Sequence, residues 1–203
     1  LGFSLTEWND IYKMVQFGGA KIDYLGSSIY FETAPITGAS SIINGVAVNT
    51  TSILLFSRWA AANPVKDFEA TIEFSNKKCT RIGTPNPWEC AFWFVFNTDV
   101  TKAKPWNYLA FKWAGGGLEG GYASNEVTQT FWPIYNVAHL WGIGTTHVAK
   151  VVKQGRNITV YCDGNLVWTG IIPVGQIRDE AGGMGLYVED GGVTVSKLEV
   201  KPL

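Results

Sequence analysis

Residues 67–113 read DFEATIEFSNKKCTRIGTPNPWECAFWFVFNTDVTKAKPWNYLAFKW, and the fold class turns on this stretch. Phe68, Ala70, Ile72 and Phe74 alternate with Glu69, Thr71 and Glu73, the period-two pattern of a strand with one buried face. Phe92, Phe94 and Phe96 then oppose Trp93, Val95 and Asn97, and Leu109 and Phe111 oppose Tyr108, Ala110 and Lys112. Placing the phenylalanine rows in the core leaves Glu69, Thr71, Glu73, Trp93, Asn97, Tyr108 and Lys112 together on one outer sheet surface. Carboxylates, an indole, a phenol and an amine sharing a sheet face are unusual as packing and ordinary as a ligand platform.

Outward from that stretch the chain keeps the same character. Residues 51–59 (TSILLFSRW) form an apolar strand, whereas residues 33–49 are rich in Pro, Gly, Ser and Asn and read as a loop. AGGGLEGG at 114–121 reads as tight turns; with no helix pattern after it and no Lys-Ser/Thr pair, it is not a phosphate loop. Residues 147–153 and 158–162 are strands joined by a turn, and Asp163-Gly164 is a favoured hairpin turn into the next strand. Met184, Leu186 and Val188 alternate with Gly185, Tyr187 and Glu189 before a final strand at 193–200. These runs predict an all-β chain of roughly a dozen short strands in two packed antiparallel sheets.

A length of 203 residues suits a single domain spanning 1–203 and is enough to bury a substantial core. Sixteen basic and 17 acidic residues give a net charge of −1 without long blocks, which argues against a nucleic-acid footprint. No apolar run reaches the 18 or so residues of a spanning helix, so no membrane span is expected. Residues 1–6 do not read as a signal peptide, so the sequence reads as mature or as a clipped domain.

Cys79 and Cys90 flank a turn-rich loop and are placed to face each other at the root of a hairpin. A disulfide there implies an oxidising, extracellular compartment; the alternative is two buried thiols. Cys162 keeps step with Ile158 and Val160 as a small core residue. Asn49 and Asn157 each open a glycosylation triplet.

HVAKVVKQGRNITVYCDGNLV, from His147, resembles the strand, turn, strand, Asp-Gly, strand passage of concanavalin A-like jelly rolls. Laminin-G-like and pentraxin-like domains and domains of the 3-keto-disaccharide hydrolase type carry comparable segments. GMGLYVEDGGVTVSKLEVKPL is similar to their closing hairpin, DFEATIEF to an early strand, and FSLTEWN with the following Gly-Gly to their entry. The resemblance covers nearly the whole chain and implies a concanavalin A-like sandwich, a superfamily of lectins, binding modules, glycoside hydrolases and lyases. Fold alone does not choose among them. Glu69-Ala-Thr-Ile-Glu73 is similar in spacing to the Glu-x-Asp-x-Glu catalytic strand of laminarinase-type hydrolases, with Thr71 where that motif has aspartate.

For carbohydrate, Trp93 and Tyr108 would supply apolar plates with a polar handle, Asn97 and Thr71 would take hydroxyls, and Lys112 would favour an anionic sugar. The competing arrangement has residues 122–141 covering this face, its aromatics forming a second core. For hydrolysis, Glu69 and Glu73 are the candidate catalytic pair, although about 13 Å separates their Cα atoms on an extended strand. Elimination would instead call on Tyr108 and Lys112, or on His139 as a base, with His147 structural. The leading reading is an extracellular carbohydrate-binding domain whose partner is a polysaccharide or glycan. A polysaccharide-active enzyme on the same face is the alternative, and a self-assembling surface-layer, filament or adhesin subunit is the second. No cofactor is expected; Asp- and Asn-rich turns are compatible with a structural calcium, but no calcium-loop spacing occurs.

Overall fold

The computed structural model describes residues 11–17, 19–34, 41–43, 46–48, 52–57, 61–80, 90–102, 104–125 and 128–203. Two seven-stranded antiparallel sheets face each other. The front sheet runs, in hydrogen-bonded order, β1 (Ile11–Phe17), β6 (Ser52–Ser57), β15 (Gly183–Glu189), β8 (Ala91–Thr98), β9 (Trp106–Lys112), β10 (Leu118–Ala123) and β11 (Gln129–Phe131). The back sheet runs β14 (Asn165–Ile171), β13 (Asn157–Cys162), β12 (His147–Gln154), β7 (Phe68–Cys79), β16 (Gly191–Pro202), β3 (Ser28–Ala34) and β2 (Gly19–Leu25). A separate two-stranded ribbon pairs β4 (Ser41–Ile43) with β5 (Val46–Val48). No described helix is long and apolar enough to cross a membrane.

The alternation read from the sequence decides what lies between the layers. Phe68, Ala70, Ile72 and Phe74 of β7 point inward and meet Phe92, Phe94, Phe96, Leu109 and Phe111 of the front sheet. Phe68 sits edge-on to Phe96 at 5.4 Å, and Phe74 lies 4.8 Å from Phe92. Fully burying side chains of this size stabilises by about 1.5–3 kcal/mol each, before the entropy of ordering them is set against it. Trp132 and Trp141 insert into the same core and close its flank beyond β10. At Asp163-Gly164 both φ angles are positive, 51° and 83°, as the two-residue hairpin turn requires.

Asn76 and Lys153 are polar residues at inward positions. Asn76 continues the inward row of β7, yet its amide bonds with the front sheet, accepting from Phe92 N and donating to Phe111 O, and also donates to Trp141 O. Lys153 continues the inward row of β12, wholly buried, and its ammonium bonds Asp179 at 2.8 Å, Asp67 at 3.2 Å and Lys66 O.

Candidate functional site

The expected single platform is divided between two opposite outer surfaces. β7 lies between β12 and β16 in the back sheet, whereas β8 and β9 lie side by side in the front sheet. The 79–90 connection is therefore a crossover between layers and not a hairpin. Alternation fixes which side of a strand faces the core; it does not say which layer the strand joins. The Cys79–Cys90 disulfide forms, with 5.3 Å between Cα atoms, and it ties the two sheets together.

On the back surface the two glutamates diverge. Glu69 pairs with Lys150 of β12 at 2.7 Å, a bond that holds its carboxyl below the usual range. Glu73 leans the other way and accepts from Ser196 Oγ of β16 at 2.7 Å. Thr71 lies between them, opposite Lys150 and Glu199 in register. This geometry does not bring two carboxyls together over a shared space, as glycoside hydrolysis requires. Nor does a Glu73–Lys112 pair form: Lys112 lies in the other sheet, 2.9 Å from Glu119 Oε1.

The front surface carries an aromatic cluster built on small residues. Tyr187, Trp93, Ala110 and Glu119 are register neighbours across β15, β8, β9 and β10, and Gly185, Val95, Tyr108 and Gly121 form the next row. A Cβ on Gly121 would come within 2.8 Å of the Tyr108 ring, so glycine there lets that ring lie flat. Tyr108 is fully buried and stacked on Trp93, centroids 4.4 Å apart and planes 18° from parallel. Its hydroxyl donates to Glu119 Oε2 at 3.1 Å and accepts from Gln129 Nε2. Tyr108 thus supports Trp93 from beneath, and Lys112, 7% exposed, neutralises Glu119.

Asn97 also leaves the candidate set. It takes a left-handed φ of 50°, which asparagine tolerates and which interrupts the alternation after Phe96. Its side chain is fully buried, donates to Glu180 O at 2.8 Å and Lys66 O at 3.0 Å, and accepts from Asn107 at 3.1 Å. Both of its amide hydrogens hold main chain in place.

What remains open on this face is a hollow of about 150 Å³ lined by Trp93, Trp106, Tyr187, Gln129, Glu189 and Lys104, with Ala123, Asn125 and Thr128 at its edge. Trp93 and Trp106 are only 8% and 5% exposed, and among the described residues neither indole N–H has a hydrogen-bond partner. Leaving a buried donor unpaired costs about 1–3 kcal/mol. Tyr187 packs against both indoles at 4.9 and 5.8 Å, and burial pushes its phenol well above the ordinary value. Of the described residues in 122–141, Ala123, Asn125, Thr128 and Gln129 line this hollow, whereas Trp132 and Trp141 go to the inter-sheet core. A second aromatic cluster does exist on the outer face, as the competing arrangement had it, but the hollow beside it is open.

Trp106, Tyr187, Gln129 and Glu189 were not expected at the site. Trp106 keeps step with Tyr108, Ala110 and Lys112 one position earlier, and Tyr187 was legible as the outward residue between Leu186 and Val188. Only the sheet order, which sets β15 beside β8, brings Tyr187 to Trp93. Asn157 lies exposed at the start of β13, while Asn49 falls outside the described residues.

The carbohydrate binding module CBM66 from Bacillus subtilis superimposes with a TM-score of 0.63 at 12% identity, covering 93% of this chain and 95% of that one. The chain has a jelly-roll fold. This jelly roll is also similar to a native glycosidic hydrolase, with a TM-score of 0.60, 11% identity, and 100% and 96% of the two chains covered. The β-glucanase of Bacillus licheniformis gives 0.58, 11%, 100% and 98%. No protein-family model matches the sequence, and no curated protein matches it.

Proposed function

We propose that this jelly roll is an extracellular carbohydrate-binding domain and that the hollow between Trp93, Trp106 and Tyr187 is its sugar site. The observation that carries the reading is the pair of buried indole N–H groups without partners beside a polar-rimmed hollow. A sugar hydroxyl supplies the missing acceptor, the ring C–H faces suit the aromatic walls, and Gln129 and Glu189 take further hydroxyls. A volume of this order, about 150 Å³, holds one six-membered ring, which suits one sugar unit and not a long groove-bound segment. That the similar structures are named as a carbohydrate-binding module, a glycosidic hydrolase and a β-glucanase supports the same ligand class.

Binding without cleavage is favoured by the carboxylates. Among the described residues Glu189 is the one carboxylate that lines the hollow, and Glu119 on the same face is held by Lys112 and Tyr108. The disulfide supports an oxidising compartment. A broad glycan array followed by calorimetry on the best ligand tests the proposal. Trp106→Phe and Trp93→Phe keep a ring and remove one N–H each; losing about 1 kcal/mol per bond weakens binding roughly fivefold per variant. No retained glycan, or a double variant that binds as tightly as the parent, refutes it.

A further inference from the structure

Away from the sugar hollow, at the margin of the back sheet, four metal-ligating side chains converge from three stretches of chain. His139 comes from the segment before β12, His147 opens β12, Cys162 closes β13, and Asp163 begins the turn after it. One ligand atom from each lies within 4.8 Å of all the others.

The hydrogen bonds around His147 and Asp163 fix the direction of both side chains. Thr145 Oγ1 donates its only hydrogen to Gly142 O at 2.6 Å, so toward His147 Nε2, 2.8 Å away, it acts as the acceptor. Nε2 therefore carries the N–H. His147 Nδ1, on the other side of the ring, lies 2.7 Å from Asp163 Oδ2. Asp163 Oδ1 is occupied by Val148 N–H at 2.9 Å, which aims Oδ2 at the ring. His139 Nε2 is buried and has no partner among the described residues. Cys162 Sγ is fully buried and accepts from Trp141 Nε1 at 3.2 Å.

We propose that His139, His147, Cys162 and Asp163 form a binding site for a zinc-class divalent metal ion. Two imidazoles, one thiolate and one carboxylate match the borderline-soft, four-coordinate preference of zinc; calcium, which takes six to eight oxygens, does not fit. His139 Nε2, His147 Nδ1, Cys162 Sγ and Asp163 Oδ2 are the donor atoms. Tetrahedral bonds of about 2.0–2.3 Å place neighbouring donors about 3.3–3.8 Å apart, so the Nδ1–Oδ2 contact widens and the longer separations close. Binding releases the Cys162 thiol proton, and any proton between Nδ1 and Oδ2 leaves with it. The ion would fasten the segment leading into β12 to the β12–β13 hairpin.

The test is titration of the chelator-stripped, disulfide-intact protein with zinc and, separately, with cobalt(II) as a spectroscopic stand-in. One equivalent is expected to bind, with a thiolate-to-cobalt charge-transfer band that disappears in Cys162→Ala. His139→Ala, a partly exposed position, is expected to weaken zinc binding by roughly tenfold or more while leaving the melting temperature of the metal-free protein nearly unchanged. Absence of stoichiometric uptake overturns the site, as does zinc binding in His139→Ala as tight as in the parent. A cobalt complex lacking the charge-transfer band overturns the four-ligand assignment.

Discussion

Replacing Asn76 by alanine is the sharpest test of how the two layers are held in register. The side chain makes three hydrogen bonds, accepting from Phe92 N at 3.1 Å and donating to Phe111 O at 3.1 Å and Trp141 O at 3.0 Å. All three are buried, and they reach β8, β9 and the segment before β12 from a strand of the other sheet. At a net value of about 1 kcal/mol per neutral bond the loss is about 3 kcal/mol. Stranding Phe92 N–H without this acceptor and leaving a void raises the expected cost to about 3–5 kcal/mol. For a domain of this size that lowers the melting temperature by about 6–20 °C. Urea unfolding followed by tryptophan fluorescence measures it. Asn76→Asp supplies the control: it keeps the acceptor for Phe92 but turns a carboxylate toward two carbonyl oxygens, so its penalty at pH 7 is at least as large and shrinks on acidification. A loss below 1 kcal/mol in Asn76→Ala, with an unchanged urea slope, refutes the assignment.

A pH experiment follows from Asp67. Burial alone would raise its carboxyl, but the Gly155 N–H at 2.9 Å and the Lys153 ammonium at 3.2 Å outweigh it and hold it below the usual range. With an unfolded value of about 3.9, the stabilisation is complete above that pH and is lost as pH falls through the lower folded value. Asp67→Asn should be less stable than the parent at pH 7, with the gap closing below about pH 4; a gap constant from pH 7 to pH 2 contradicts the reasoning. Cys79→Ser/Cys90→Ser opens a link between residues 11 apart, and loop-closure entropy sets the cost at about 3 kcal/mol. Unchanged urea midpoints for the double variant would show that the crossover is constrained by other contacts.

The fold class was legible because period two is written plainly in β7, β8 and β9, and the resemblance in the last third extended it to a jelly roll. The residues facing the core were correct at each of Phe68, Ala70, Ile72, Phe74, Phe92, Phe94, Phe96, Leu109 and Phe111. Layer assignment was not legible. Nothing local distinguishes a hairpin from a crossover at residues 79–90, so Glu69, Thr71 and Glu73 were joined to Trp93 and Tyr108 across the thickness of the sandwich. Asn97 was misplaced for a local reason, a single left-handed residue that ends the alternation. Asn76 and Lys153 were readable as polar residues in inward register, a stronger signal than their neighbours' charge. Tyr187, which completes the hollow, depends on β15 lying beside β8, a pairing that joins Tyr187 to Trp93 across a long stretch of sequence, information that resides in sheet order.

The crossover between β7 and β8 has a mechanical consequence. The disulfide fastens the layers at one end of their central strands, and a lone tether of that kind stops one sheet from sliding over the other while leaving it free to pivot. Asn76, three residues before Cys79, grips β8 and β9 at separate points and removes the pivot. Together the two attachments oppose both sliding and rotation of one layer over the other at this corner of the sandwich.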